Sequence, residues 1–154
     1  MASNSERTDG QGPMWVGPFR IEDLLKDVLT TNLPRPPEHH GVYVVSERPW
    51  KGQPATDTGV LYVGTTTGKS PRFRTRIGDL IADLFGFFCD QTGHSSGGQS
   101  LYEYCTTNKV HPFNLWIGWI SEVPNRADVA DHLFTTLEPR LNKKRPAKPR
   151  ESVD

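Results

Sequence analysis

The chain has 154 residues and a mass of 17.3 kDa, which suits one globular domain and excludes two substantial hydrophobic cores. Its 18 basic and 18 acidic residues cancel, so the net charge alone gives no sign of a polyanionic partner. No apolar run approaches the roughly 18 to 20 residues of a membrane-spanning helix, and we expect a soluble protein without a membrane partner. The two cysteines, Cys89 and Cys105, have no metal-binding or redox spacing, and no secretory signal is visible. We therefore expect a cytoplasmic location.

The composition divides the chain into three parts. Residues 1–12 are small and polar without an apolar pattern, so we expect a disordered N-terminal tail. We expect residues 13–145 to form a single domain and residues 146–154 to form a basic, flexible C-terminal tail. Within the domain, apolar residues recur at helical spacing over Phe19–Leu29 and predict a short amphipathic helix, which the following proline-rich segment ends.

Two β-branched runs in the middle of the chain predict a hairpin. Gly41–Ser46 is predicted as its first strand, Glu47–Thr58 as a loop and Val60–Gly64 as its second strand. A polar loop follows, and Pro71 stands where a helix can begin. The apolar stripe after this proline predicts a helix that reaches about Phe88.

The last third of the domain contains a further strand between two helices. Gln99–Thr106 is predicted as a short helix and Asp128–Glu138 as the last helix. The apolar, tryptophan-rich segment Asn114–Ile120 is typical of a central strand. This order predicts an α/β (α+β) fold with a small, mainly antiparallel three-stranded central sheet flanked by helices.

Cationic residues cluster in two short segments although the chain as a whole is neutral. A cluster of like charges makes a local positive face, which is typical of a surface that binds a polyanion. A solvated surface with a basic tail is the alternative. The clusters are Lys69, Arg72, Arg74 and Arg76 in the first segment, and Arg140, Lys143, Lys144, Arg145, Lys148 and Arg150 in the second.

Two tripeptides, Gly41-Val42-Tyr43 and Tyr62-Val63-Gly64, lie about twenty residues apart in the two strands of the predicted hairpin. Each strand therefore presents one tyrosine from the same small sheet. A tyrosine on a strand is also a common packing residue, so the pair alone does not establish a site.

The tripeptides, the arginine-bearing helix, the third strand and the ending Pro139-Arg140-Leu141-Asn142 follow one another as in the GIY-YIG nuclease family. The chain resembles this family over about residues 39–145, and more loosely its small stand-alone members. The resemblance implies a metal-dependent DNA endonuclease that hydrolyses phosphodiester bonds with Mg²⁺ or Mn²⁺, as a monomer or homodimer. The sequence shows no recognition element for particular bases.

The resemblance also implies roles for the motif residues. Tyr43 and Tyr62 match the two tyrosines, of which one helps to deprotonate the attacking water and the other hydrogen-bonds that water or the phosphate. Gly64 matches the motif glycine, which lets the phosphate approach the backbone. Arg76 fits the arginine that points at the scissile phosphate, and Asn142 fits the asparagine that orders the hydrogen bonds of the site.

The family's metal-binding glutamate falls on Ala130 in this chain, twelve residues before Asn142. A hard cation such as Mg²⁺ needs an anionic oxygen, so Asp131 is the candidate ligand and Asp128 the second candidate. Both residues also suit the polar face of a helix. A catalytically impaired nucleic-acid-binding module with the same fold is therefore the alternative function.

The arginine-bearing helix and the polar segments around the motifs contain further phosphate-binding candidates. They are Lys69, Arg72, Arg74, His94, Lys143 and Lys144. His94 follows a glycine in a Ser/Gly-rich segment, where an imidazole can contact phosphate or move a proton near neutral pH. Most loop histidines do neither.

Overall fold

The computed structural model describes residues 14–66, 72–87, 96–121 and 126–142. Its strands are β1 (Val16–Arg20), β2 (Gly41–Ser46), β3 (Val60–Thr65) and β4 (Trp116–Ser121). Its helices are α1 (Ile21–Lys26), α2 (Phe73–Leu84), α3 (Ser96–Asn108) and α4 (Arg126–Leu137). Both expected tails, residues 1–12 and 146–154, lie outside the described residues.

The four strands form one antiparallel sheet in the order β1-β4-β2-β3. The predicted α+β class is confirmed, with four strands in place of three. The predicted hairpin is β2 paired with β3, and the tryptophan-rich strand β4 lies inside the sheet as expected. None of the helices in the described part of the chain combines the length and the apolar character needed to cross a membrane.

The additional strand, β1, corrects the prediction of a helix over Phe19–Leu29. Val16 and Phe19 pair with β4, and α1 begins only at Ile21 and ends at Lys26. Gly17 has a φ of 99°, and a Cβ added there would lie 3.1 Å from the carbonyl oxygen of Ile117, so a glycine permits this pairing. The helical spacing of the segment did not reveal a contact made with a strand about 100 residues later.

The helices cover the two faces of the sheet with separate apolar clusters. On one face, α2 and α3 pack over the side chains of β2 and β4. On the other face, α4 packs against a second cluster. The first cluster includes Tyr43, Val45, Leu61, Phe73, Ile77, Leu80, Leu101 and Trp119, and the second includes Val42, Val44, Val63, Ile120, Ala130 and Leu137.

The segment after α4 covers the free edge of β3. The backbone N–H of Arg140 donates to the carbonyl oxygen of Val60 at 3.2 Å, and that of Leu141 donates to Leu61 at 2.8 Å. An unpaired strand edge is a site of unwanted association, so this cover protects the edge. It also brings the end of the described chain beside the tyrosine-bearing strand.

Asp27 organises the loop that joins α1 to β2. Its carboxylate accepts hydrogen bonds from the Thr30 hydroxyl at 2.5 Å and the backbone N–H of Leu33 at 2.8 Å, and it pairs with Arg35 at 3.0 Å. The hydrogen bond from Thr30, and then those from the backbone, hold the pKa of this carboxyl well below its usual value. The folded chain therefore stabilises the charged form of the Asp27 carboxyl more than the unfolded chain does.

Replacement of Asp27 with Asn is expected to lower the free energy of unfolding near neutral pH. A depressed pKa gives stability that is present above the unfolded value, about 3.9, and is lost as pH falls through the folded value. The difference between wild type and Asp27→Asn should therefore shrink below about pH 4. Urea unfolding at several pH values measures it, with the exposed Asp23→Asn as control. An equal difference at pH 7 and pH 3 would contradict this account.

Candidate functional site

Tyr43 and Tyr62 come together on the face of the sheet that α2 and α3 cover. Tyr43 pairs with Gly64 across the hairpin and Val45 pairs with Tyr62, so both tyrosines project from one face as diagonal neighbours. Their ring centroids are 6.1 Å apart, and the ring planes are inclined by 28°. Tyr43 is only 2% exposed, whereas Tyr62 is half-buried.

Gly64 is required by the position of the Tyr43 ring. A Cβ added to Gly64 would lie 2.5 Å from Cε2 of Tyr43 and closer still to its Cζ and hydroxyl oxygen. No side chain fits in that space, because ordinary van der Waals contact begins near 3.4 Å. The two motif tripeptides are therefore joined by a direct contact between the tyrosine of one and the glycine of the other.

Burial raises the pKa of the Tyr43 phenol well above its usual value near 10. The neighbouring Tyr62 raises this pKa further, and the charge of Arg76 lowers it. Because burial dominates, Tyr43 keeps its proton at neutral pH. It can donate a hydrogen bond, but it cannot act as a base there.

Arg76 lies on the flank of α2 beside this buried phenol. Phe73 and Ile77 point into the core, and Arg76 between them is half-buried. Its Nε is buried and has no hydrogen-bond partner among the described residues. A buried polar atom without a partner is uncommon in native proteins, and a guanidinium binds oxyanions through paired N–H groups. The position therefore suits an anionic ligand.

Arg72 and Arg76 differ from most described cations in having no carboxylate partner. They stand one helical turn apart at the start of α2, and neither makes an ion pair within the described ranges. The cations that do form ion pairs with carboxylates are Arg20, Lys26, Arg35, Arg48, Arg74 and Arg140. Two neighbouring free guanidinium groups leave a local excess of positive charge beside the tyrosines.

Arg74 is directed away from this pair. Its Nε donates to the carbonyl oxygen of Pro36 at 2.7 Å, and its Nη1 lies 3.3 Å from a carboxylate oxygen of Glu38. The helix places Arg74 on the opposite flank from Arg72 and Arg76, since successive residues are separated by about 100° around an α-helix. Of the three predicted arginines, two thus share one flank.

Asn142 joins the C-terminal segment to the strand that carries Tyr62. Its Oδ1 accepts from the backbone N–H of Val63 at 2.9 Å, and its Nδ2 donates to the carbonyl oxygen of Val63 at 3.0 Å. Val63 lies between Tyr62 and Gly64, so the amide fixes the strand at the centre of the second motif. Asn142 acts here through the backbone.

Sequence reasoning missed two residues near the start of α3: Gly97, which meets Tyr62, and Asp83, which meets Gly98. A Cβ added to Gly97 at the start of α3 would lie 2.5 Å from Cζ of Tyr62 and 2.9 Å from its hydroxyl oxygen. Asp83 on α2 is fully buried, and its Oδ2 lies 3.1 Å from the corresponding position on Gly98. In this Ser/Gly-rich part of the sequence only His94 was a candidate.

The carboxylates of α4 lie on the other side of the sheet. Ala130 is fully buried in the cluster that contains Val42, Val44 and Val63, away from the tyrosine face. The adjacent Asp131 is half-buried on the same helix. Asp128 lines a separate cavity of about 310 Å³, together with Trp15, Gln53, Ile120, Val129, His132 and Leu133.

These positions do not fit a divalent cation held by α4 beside the tyrosines. In the part of the chain that the structure describes, no group of three or more His, Cys, Asp or Glu side chains could hold a metal ion. Mg²⁺ also binds through one or two carboxylates with phosphate and water, but such a carboxylate must reach the phosphate. Asp131 and Asp128 belong to the helix on the opposite face.

Four of the predicted phosphate-binding residues lie outside the described residues. They are Lys69, His94, Lys143 and Lys144. The described part of the site is therefore formed by Tyr43, Tyr62, Gly64, Arg72, Arg76 and Asn142.

The scan against protein-family models finds no match to this chain, and the searches of curated proteins and solved structures find no similar protein. The function is consequently argued from the residues and their geometry.

Replacement of Asn142 with Ala is expected to lower the free energy of unfolding by about 1–3 kcal/mol, because the N–H and C=O of Val63 lose their partners. Asn142→Asp should cost at least as much, since it sets a carboxylate oxygen against the carbonyl oxygen of Val63. Denaturant unfolding measures both. Asn108→Ala, which removes one exposed hydrogen bond to Tyr104, is the control. An Asp variant as stable as wild type would contradict the assigned geometry.

Proposed function

We propose that this chain is a DNA endonuclease that hydrolyses phosphodiester bonds with a site of the GIY-YIG type. The observation that carries the proposal is the buried Nε of Arg76, which finds no hydrogen-bond partner in the described part of the chain, beside the stacked Tyr43 and Tyr62. A cation in that setting favours an anion that brings its own acceptors. The phosphate of a nucleic-acid backbone is such an anion, and DNA is the partner that we propose.

Arg76 binds a non-bridging oxygen of the scissile phosphate in this proposal. Negative charge grows on the phosphate oxygens as water attacks, and a preorganised guanidinium offsets it in the transition state. Arg72, one turn away and exposed, adds a second positive charge for the same strand or its neighbour. These phosphate contacts make the affinity for DNA fall with salt concentration.

Tyr62 is the tyrosine that orients the attacking water. Tyr62 is only half-buried, whereas the fully packed Tyr43 holds its proton, and we therefore assign this role to Tyr62. Tyr43 supports the site by packing its ring against Gly64 and by lying near the charge of Arg76. An unperturbed phenol has a pKa near 10, so a cation must stabilise any phenolate that forms at neutral pH. The Arg76 guanidinium supplies that charge.

Mg²⁺ or Mn²⁺ is the cofactor that the resemblance implies, and we propose these cations for the assay buffer. A divalent cation would polarise the phosphate and stabilise the leaving oxygen. The roles of Tyr62 and Arg76 given above do not depend on where a cation binds.

A module that binds nucleic acid without cutting it is the second candidate. The burial of Ala130 at the family's metal position and the location of Asp131 on the other face favour it. Both candidates use the same arginines to bind phosphate. Only the second one predicts binding without strand cleavage.

Cleavage of supercoiled plasmid DNA in Mg²⁺ or Mn²⁺, with EDTA as the blank, tests the proposal. Wild type should nick the plasmid, and Arg76→Ala should slow nicking by about 10²–10³-fold, the usual loss when one transition-state donor is removed. Arg76→Lys keeps the charge but loses the paired N–H groups, so it should recover only part of the rate. Arg48→Ala removes a charge that is paired with Glu47 and should leave the rate nearly unchanged.

Equal nicking by Arg76→Ala and Arg48→Ala would overturn the assignment of Arg76. Wild type that shifts DNA in a salt-sensitive binding assay but leaves it intact would favour the binding module. Wild type that neither binds nor cuts any DNA would reject both candidates.

A further inference from the structure

Gly97 and Gly98 let the start of α3 approach both Tyr62 and α2 more closely than any other residue type allows. A Cβ on Gly97 would lie 2.5 Å from Cζ and 2.6 Å from Cε2 of Tyr62. A Cβ on Gly98 would lie 2.5 Å from Cβ of Asp83 and 2.9 Å from the carbonyl oxygen of Leu80. The first glycine thus meets the tyrosine, and the second meets the helix that carries Arg76.

The contact at Gly97 bears on the hydroxyl end of the Tyr62 ring. The hydroxyl oxygen itself would lie 2.9 Å from the added Cβ, below the 3.4 Å at which ordinary contact begins. Tyr62 is half-buried, whereas Gly97 is buried in the start of a thirteen-residue helix. The backbone of Gly97 therefore limits how close the Tyr62 ring can lie to α3.

The flank of α2 that meets α3 also carries the proposed phosphate ligand. Asp83 follows Arg76 by seven residues, which is two helical turns, so both residues lie on the same flank. Asp83 is fully buried against Gly98. The packing of α3 on α2 consequently fixes the position of Tyr62 relative to Arg76.

We propose that Gly97 is a positioning residue for Tyr62, with the Gly98–Asp83 contact holding α3 at the distance from α2 that the reaction requires. The inference rests on the proposed nuclease function and adds to it a residue on a third element. It concerns the Tyr62 hydroxyl only; phosphate binding by Arg76 does not depend on it.

Gly97→Ala is the direct test, because the added methyl group must displace the Tyr62 ring by about 1 Å to reach ordinary contact. A misplacement of this size is expected to lower the single-turnover cleavage rate of plasmid DNA by about 10²-fold. The affinity for the same DNA in EDTA should stay unchanged. Gly78→Ala is the matched control, because a Cβ at this exposed helical position meets nothing within 4 Å.

A double mutant separates positioning from general damage to the fold. If Gly97 acts through the Tyr62 hydroxyl, Gly97→Ala should cost nothing further in a Tyr62→Phe background. An equal loss in both backgrounds would overturn the proposal, as would a Gly97→Ala rate equal to that of Gly78→Ala.

A second readout keeps the inference testable if wild type cuts no DNA and the proposed function fails. Fluorotyrosine incorporated into the chain gives a ¹⁹F NMR signal for Tyr62, which is assigned by its loss in Tyr62→Phe. Gly97→Ala should shift that signal while Gly78→Ala leaves it in place. An unmoved Tyr62 signal in Gly97→Ala would overturn the contact itself.

Discussion

The contact between Tyr43 and Gly64 is the constraint on which the rest of the site depends. The antiparallel pairing of β2 and β3 sets these residues opposite each other, and the tyrosine ring occupies the space that a side chain at position 64 would need. Tyr62 then follows as the diagonal neighbour on the same face. Phe73 packs on the Tyr43 ring from α2 at a centroid distance of 6.2 Å, which brings Arg76 of the same helix to the phenol.

Burial gives the two tyrosines different properties within one pair. Tyr43 is held neutral by its apolar surroundings, while Tyr62 is only half-buried and touches the start of α3. Arg76 is the cation whose charge acts on the Tyr43 phenol. The half-buried Arg76 guanidinium has an Nε without a partner among the residues that the structure describes, and a bound oxyanion would offset the desolvation cost of that atom. These features support the proposed phosphate ligand more directly than the proposed metal ion.

The sequence predicted those parts of the molecule that local pattern controls. The bounds of β2 were predicted correctly and those of β3 to within one residue, because a β-branched run is a local property of the sequence. The strand β1 was missed because its pairing with β4 is a tertiary contact, and because the Gly17-Pro18 pair within it obscures the strand pattern. The contacts of Gly97 with Tyr62 and of Gly98 with Asp83 were equally invisible in the sequence, since close approach between two elements leaves no periodic signal. The location of Ala130 on the face opposite the tyrosines could not be predicted, because it depends on how α4 packs on the sheet.

A crystal structure of the chain with a short DNA duplex that carries one phosphorothioate linkage tests the central claim most directly. We predict a backbone phosphate within hydrogen-bond distance of the Arg76 guanidinium and next to the hydroxyl of Tyr62. DNA bound elsewhere, with the Arg76 guanidinium still without a phosphate oxygen, would contradict the claim that this buried cation and the tyrosine pair form a phosphodiester site.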